Sequence, residues 1–189
     1  LWAPEANLLA APQGLAPQHA AMTEPCAVAL HGVRRMAVRP GATGAVFGGG
    51  PIGSMVAQWL RVAGCRRILV VDVEAAKLDL AATMGFEPVD GRQGDAAEAV
   101  VERTGGGAEC VVEAVGLGLT FAQALRSAGR GGQVVLLGNI AGELRLGEKE
   151  VSSILRRELR IYGTWNSKVA PRGADDWSTV LAFMDREIQ

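Results

Sequence analysis

The sequence predicts a doubly wound α/β domain, a mostly parallel sheet with helices on both faces. Three observations carry that expectation. Strand-like and helix-like runs alternate along most of the chain. The strand-like runs are continuously apolar, as strands buried on both faces require. A glycine-dense corner, GGGPIG (48–53), joins the first such strand to the first following helix.

In chain order, residues 1–25 read as irregular, because Pro4, Pro12, Pro17 and Pro25 interrupt any long helix. AVALHGVRRMAV (27–38) places apolar residues at helical spacing and stops before Pro40-Gly41. Strands are expected at 44–48, 67–72, 86–90, 109–115, 133–138 and 159–165. Helices are expected between them at 52–63, 74–84, 95–103, 118–128 and 150–157, with a last amphipathic helix at 175–187. Strand–helix–strand repetition of this kind implies parallel pairing through helical crossovers.

The chain of 189 residues has 49% hydrophobic residues and a net charge of −1, which argues against disorder and against a broad nucleic-acid-binding face. No apolar run approaches the roughly 20 residues of a membrane helix, and no signal-peptide pattern opens the chain. Cys26, Cys65 and Cys110 are too few and too scattered for a disulfide framework or a metal knuckle, which fits a cytoplasmic setting. The first residue, Leu1, suggests a cut or processed chain.

In the glycine corner each residue has its own physical task. Gly48 permits the tight turn, Gly50 lets backbone approach a pyrophosphate, and Gly53 allows close packing of helix on strand. Pro51 suits a first helical turn, and Ile52 follows it into the helix whose N-terminus offers free N–H groups to phosphate. Asp72 ends the second strand about 20 residues on, where a carboxylate accepts hydrogen bonds from both ribose hydroxyls. The same charge repels a 2′-phosphate, so NAD is expected rather than NADP. Lys77 is placed to reach the adenosine ribose. The bland alternatives are a helix-capping aspartate and a solvated lysine. Together these features make the fold Rossmann-type.

TEPCAVALHGVRR (23–35) followed by RPGATGAVFGGGPIG (39–53) resembles the zinc-dependent medium-chain dehydrogenases, and within them the polyol branch of sorbitol, galactitol-phosphate and threonine dehydrogenases. PEANLLAAPQGLAPQHAAMTEP (4–25), AECVVEAVG (108–116), GGQVVLLGN (131–139) and LRRELRIYGTWNS (155–167) match the same family in order. The resemblance implies that residues 1–25 are a linker or remnant of a catalytic domain and that 26–189 form the NAD-binding domain. It also implies that the zinc ligands lie mainly on a separate N-terminal domain of about a hundred residues. Glu24 matches the family glutamate beside the zinc, where it contacts the metal or its water; read without the family it is a solvated glutamate in a loop.

Ligands of such sheets bind at the carboxyl ends of the strands. That places Ala114-Val115-Gly116, Leu137-Gly138-Asn139 and Thr164-Trp165-Asn166 around the nicotinamide; the alternatives are ordinary turn chemistry and, for Trp165, a core aromatic. The resemblance further implies a homodimer through the 159–165 edge strand. His19 and His31 read as surface or packed residues, and the three cysteines as small apolar fillers.

The expected function is that of an NAD-binding domain of a zinc-dependent oxidoreductase. The intact enzyme would oxidise a secondary alcohol of a polyol, sugar phosphate or amino acid, with the isolated chain binding NAD but catalytically incomplete. The alternatives are a non-catalytic dinucleotide-binding sensor or interaction module and, less favoured, an NADP-linked reductase.

Overall fold

The computed structural model describes residues 2–5, 8–169 and 175–186. Along the chain lie α1 (Pro17–Ala20), α2 (Thr23–Val33), β1 (Thr43–Phe47), α3 (Pro51–Ala63), β2 (Arg67–Asp72), α4 (Ala75–Thr83) and β3 (Glu87–Asp90). They are followed by α5 (Ala96–Thr104), β4 (Ala108–Glu113), α6 (Gly118–Ser127), β5 (Ala128–Leu136), α7 (Glu148–Arg157), β6 (Arg160–Gly163) and α8 (Asp176–Arg186). The six strands form one sheet in the order β3-β2-β1-β4-β5-β6, and every adjacent pair is parallel. This is the doubly wound order in which the chain reverses direction across the sheet between β1 and β4.

Alternation along each strand divides the core in two. Val46, Val70, Val112 and Val135 face a layer built by α2, α3 and α8, with Leu30, Val56, Leu60 and Val180 all buried there. Ala45, Phe47, Leu69, Val71, Val111 and Val134 face the opposite layer, where Val100 of α5 and Leu125 of α6 are buried. A fully buried valine or leucine contributes about 1.5–3 kcal/mol over its exposed state, so both faces hold the sheet. The period of two that distributes these residues was masked in the sequence because both sides are apolar.

The principal departures from the expected elements lie at boundaries. The first long helix begins at Thr23 rather than 27 and ends at Val33 rather than 38. Pro25 is tolerated because it sits in the first turn, where its missing N–H has no helical partner to lose. Beyond Val33 the chain is drawn off the helix: the buried Gln133 amide accepts from Ala37 N–H at 2.9 Å and donates to Ala37 C=O at 3.0 Å. The expected 25/26 domain boundary therefore falls inside α2. Strand β5 starts at Ala128 instead of 133, with a register shift opposite Ala108/Cys110 that accommodates its glycines. Edge strand β6 is shorter than expected, because Trp165 and Asn166 leave the ladder and Asn166 adopts a positive φ of 53°.

The last helix is tied to α2 by charge. Asp176 is 1% exposed, and its carboxylate lies 2.6 Å from Arg34 Nη1 and 2.8 Å from His31 Nδ1. It also accepts Lys168 N–H at 2.7 Å, so the buried acid is fully surrounded by donors. His31, expected only as a packed or surface residue, thus helps to anchor α8 on the sheet layer beneath the crevice.

Candidate functional site

The glycine corner lies at the carboxyl end of β1, next to the crossover point between β1 and β4. Gly48 takes φ +101° and donates its N–H to Val71 C=O at 2.8 Å, which turns the chain away from β1. Gly50 is the N-cap of α3 in extended conformation, and Pro51 occupies the first turn as expected. Ile52 is half-buried and packs on the α2 side of the core. A Cβ added to Gly53 would stand 1.8 Å from Gly48 C=O, so only hydrogen allows the helix to start this close to the turn. A Cβ added to Gly50 would meet nothing within 4 Å. The loop is therefore tight against its own fold at Gly53 and open to a ligand at Gly50.

Asp72 points into this corner. Its Oδ2 accepts Gly49 N–H at 2.7 Å, and its Oδ1 accepts Val73 N–H at 2.7 Å and Glu74 N–H at 3.0 Å. The carboxylate thus locks the glycine loop to the end of β2, and its side chain is only 8% exposed. Oδ2 retains an acceptor position for a sugar hydroxyl, since a carboxylate oxygen offers two. Lys77 Nζ is 3.9 Å from Asp72 Oδ2 and 2.6 Å from Glu74 Oε1. The hydrogen bond to Glu74 holds the Lys77 ammonium above its ordinary pKa. Two carboxylates against one ammonium leave this corner net negative, which disfavours an added phosphate dianion.

The next two groups meet at the ends of β4 and β5. Gly116 has φ +85°, and a Cβ there would lie 2.3 Å from Asn139 C=O, while one on Gly138 would lie 2.3 Å from Gly116 N. Ala114 donates its N–H to Phe47 C=O at 2.9 Å, and Leu137 and Gly138 both donate theirs to Glu113 C=O at 2.9 Å. Val115 is 43% exposed beside the glycine turn. The strand ends are therefore laced backbone to backbone into one ledge facing the crevice side of Gly48.

Glu113 organises that ledge and was not singled out from the sequence. It is 1% exposed, and its Oε1 accepts Val115 N–H at 3.0 Å, Gly116 N–H at 2.9 Å and the Thr120 hydroxyl at 2.7 Å. A charged residue inside the apolar run CVVEAVG was the available signal. Buried carboxylates persist only where donors replace water, and three donors converge on this oxygen.

Thr164, Trp165 and Asn166 follow β6 and do not join the ledge to the same extent. Thr164 N–H donates to Leu136 C=O at 3.2 Å, and its buried hydroxyl has no hydrogen-bond partner among the described residues. Trp165 is 75% exposed, which rules out the core-aromatic alternative.

Glu24 lies in the first turn of α2 with an exposed side chain, so it is helical rather than part of a loop. Among the described residues no group of three or more His, Cys, Asp and Glu side chains could hold a metal ion. Zinc therefore does not fit the residues described. The dinucleotide cradle does fit, because the space a Gly50 side chain would fill is open beside donors at the α3 N-terminus.

Comparison with known proteins places this geometry in context. The family model described as zinc-binding dehydrogenase matches residues 51–186. Sorbitol dehydrogenase of Bacillus subtilis is 31% identical over 168 residues, covering 87% of this chain and 47% of the relative. The structure of galactitol-1-phosphate dehydrogenase from Escherichia coli superposes with a TM-score of 0.88 at 24% identity, covering 97% of this chain and 54% of that one. A candidate zinc-binding dehydrogenase from Sinorhizobium meliloti 1021, bound to NADP, superposes with a TM-score of 0.83 at 32% identity, covering 94% of this chain and 51% of that one. The chain thus spans about half the length of these relatives. It belongs to the zinc-binding dehydrogenases of the medium-chain type, as their cofactor-binding half.

Proposed function

We propose that this chain is the NAD-binding domain of an oxidoreductase that oxidises a secondary alcohol of a polyol, sugar phosphate or amino acid. The observation that carries the reading is the corner formed by Gly48, the open Gly50 position, the α3 N-terminus and Asp72. Gly50 and the first N–H groups of α3 would receive the pyrophosphate, since a helix start offers unpaired donors and a positive dipole end. Asp72 would accept the adenosine ribose hydroxyls, with Lys77 alongside. Ala114, Val115, Gly116, Leu137, Gly138 and Asn139 would line the nicotinamide through their backbone, and Thr164, Trp165 and Asn166 would close its far side. When bound, the cofactor supplies the hydride chemistry, and the protein supplies placement and electrostatics.

The chain on its own is proposed to bind NAD without oxidising alcohols, since the described residues assemble no zinc site. Glu24 would act beside the metal only in a centre completed by groups outside those described. The exposed β6 edge, with Ile161 at 38% exposure, supports pairing with a second copy into a homodimer. Among the described residues no helix is long and apolar enough to cross a membrane. The unpaired cysteines favour a reducing compartment, and we assign the chain to the cytoplasm.

The preference for NAD over NADP rests on the negative corner around Asp72, although the Sinorhizobium meliloti neighbour binds NADP. Titration calorimetry with both nucleotides tests it. Wild type should bind NAD at least tenfold more tightly, and Asp72→Gly should weaken NAD and improve NADP. Equal affinities in wild type, or an Asp72→Gly variant that leaves NADP binding unchanged, would overturn the assignment.

A further inference from the structure

The crevice accounts for the carboxyl ends of the strands, but the amino ends of β1, β4, β5 and β6 enclose a second concavity. It is a cavity of about 400 Å³ walled by Arg39, Glu109, Arg130, Gly131, Gln133 and Arg160. Ala37, Ala42 and Cys110 complete the wall, so it offers no aromatic ring and little apolar surface. The three arginines come from separate segments: the turn before β1, the start of β5 and the first residue of β6.

Hydrogen bonds within the fold hold these segments together. The Gln133 amide clasps both the N–H and the C=O of Ala37, two residues before Arg39. Gln133 also stands opposite Arg160 in the β5–β6 ladder. Glu109 Oε2 accepts Thr43 N–H at 3.1 Å, and its Oε1 lies 2.8 Å from Arg39 Nη2. Both oxygens of the one acid in the wall are therefore engaged. Gly131 takes φ +69°, and a Cβ there would meet nothing within 4 Å, which leaves the space beside Arg130 open.

Three guanidiniums against one carboxylate leave the wall net positive. The Arg160 side chain has no hydrogen bond or ion pair among the described residues. Arg130 Nε comes only within 3.9 Å of Glu158 Oε2, with both side chains exposed, a pairing of little strength. The forked donors of both arginines are thus unspent, and such a fork matches phosphate oxygens two at a time. With no ring-stacking wall, recognition rests on charge and not on a nucleobase. We propose that this cavity binds a compact phosphate, free or as a small monoester, gripped by Arg130 and Arg160 with Arg39 beside them. The bound anion would tie the glycine turn of β5 to the start of β6, at the end of the sheet opposite the dinucleotide crevice.

The test is calorimetric titration of the full chain with pyrophosphate, inorganic phosphate and glycerol 3-phosphate at constant ionic strength. Saturable binding of pyrophosphate is expected, and it should persist in Gly50→Ala, which fills the phosphate position of the crevice. Glycerol 3-phosphate binding as tightly as inorganic phosphate assigns the site to esters, and its exclusion assigns it to the free anion; either upholds the site. Arg130→Gln and Arg160→Gln should each weaken pyrophosphate about tenfold. The double variant Arg130→Lys, Arg160→Lys keeps the charge but loses both forks, and should also lose at least about tenfold. Wild-type protein gives a second readout that needs no variant to fold. Phenylglyoxal labelling, mapped by mass spectrometry, should be slowed by pyrophosphate at Arg130 and Arg160 and not at the exposed Arg35. Absence of saturable binding, its loss in Gly50→Ala, wild-type affinity in the double lysine variant, or labelling unchanged by pyrophosphate would each overturn the proposal.

Discussion

Replacing Gly53 by alanine sets two physical effects against each other. Helix propensity alone favours the substitution by about 0.5–1 kcal/mol, because glycine within a helix is entropically costly. The structure predicts the opposite sign. The new Cβ would stand 1.8 Å from Gly48 C=O and 2.9 Å from Gly48 carbonyl carbon, both backbone atoms with no rotamer to relieve the clash. Restoring an ordinary contact requires the turn and the α3 start to separate by more than about 1 Å, a distortion of the overpacking kind that costs roughly 1–3 kcal/mol. The upper end applies here because Gly48 is held by Val71 and cannot swing freely. A loss of about 3 kcal/mol lowers Tm by roughly 6–12 °C in a domain of this size. Gly50→Ala is the companion variant. Its φ of −67° suits alanine and the Cβ meets nothing within 4 Å, so Tm should move little. Its methyl group nevertheless occupies the space assigned to pyrophosphate and should weaken NAD binding at least tenfold. Differential scanning calorimetry and NAD titration on both variants separate the effects. A stable Gly53→Ala, or a Gly50→Ala that binds NAD normally, would refute the reading of the corner.

Other outcomes follow from the charged contacts. Asp176→Ala removes a buried acceptor from Arg34, His31 and Lys168 N–H, and should cost about 3–5 kcal/mol in urea denaturation by leaving donors unpaired beneath α8. Glu87 forms a two-point contact with Arg67, both at 2.8 Å, and that hydrogen bonding holds its carboxyl below the ordinary value. A depressed folded-state pKa stabilises the fold above the unfolded value near 4.3 and is lost as pH falls through the folded value. Glu87→Gln should therefore cost under about 1 kcal/mol at pH 7, with the difference from wild type vanishing at acidic pH. Glu113→Gln replaces an acceptor that gathers three donors, so it should lower NAD affinity more than Tm falls if the ledge is cofactor-facing. An equal effect on Tm and no effect on binding would make it merely structural.

The order of elements was legible in the primary structure because buried parallel strands and amphipathic helices leave different periodicities, and the doubly wound class followed from their alternation. The glycine corner was legible for a related reason: G-x-G-x-x-G and a following strand-end acid are local patterns, and Gly48, Gly53 and Asp72 occupy the places those patterns imply. Other features depended on distant partners. Helix α2 stops at Val33 because Gln133, nearly a hundred residues on, captures Ala37. Glu113 is a ledge builder because Thr120 and the Gly116 turn fold back upon it. Cys65 and Cys110 read separately as fillers, and the fold buries both in one core layer. Local chain stiffness and burial period write themselves into adjacent residues. Hydrogen bonds across the sheet do not, since they exist only once topology has joined segments far apart along the chain.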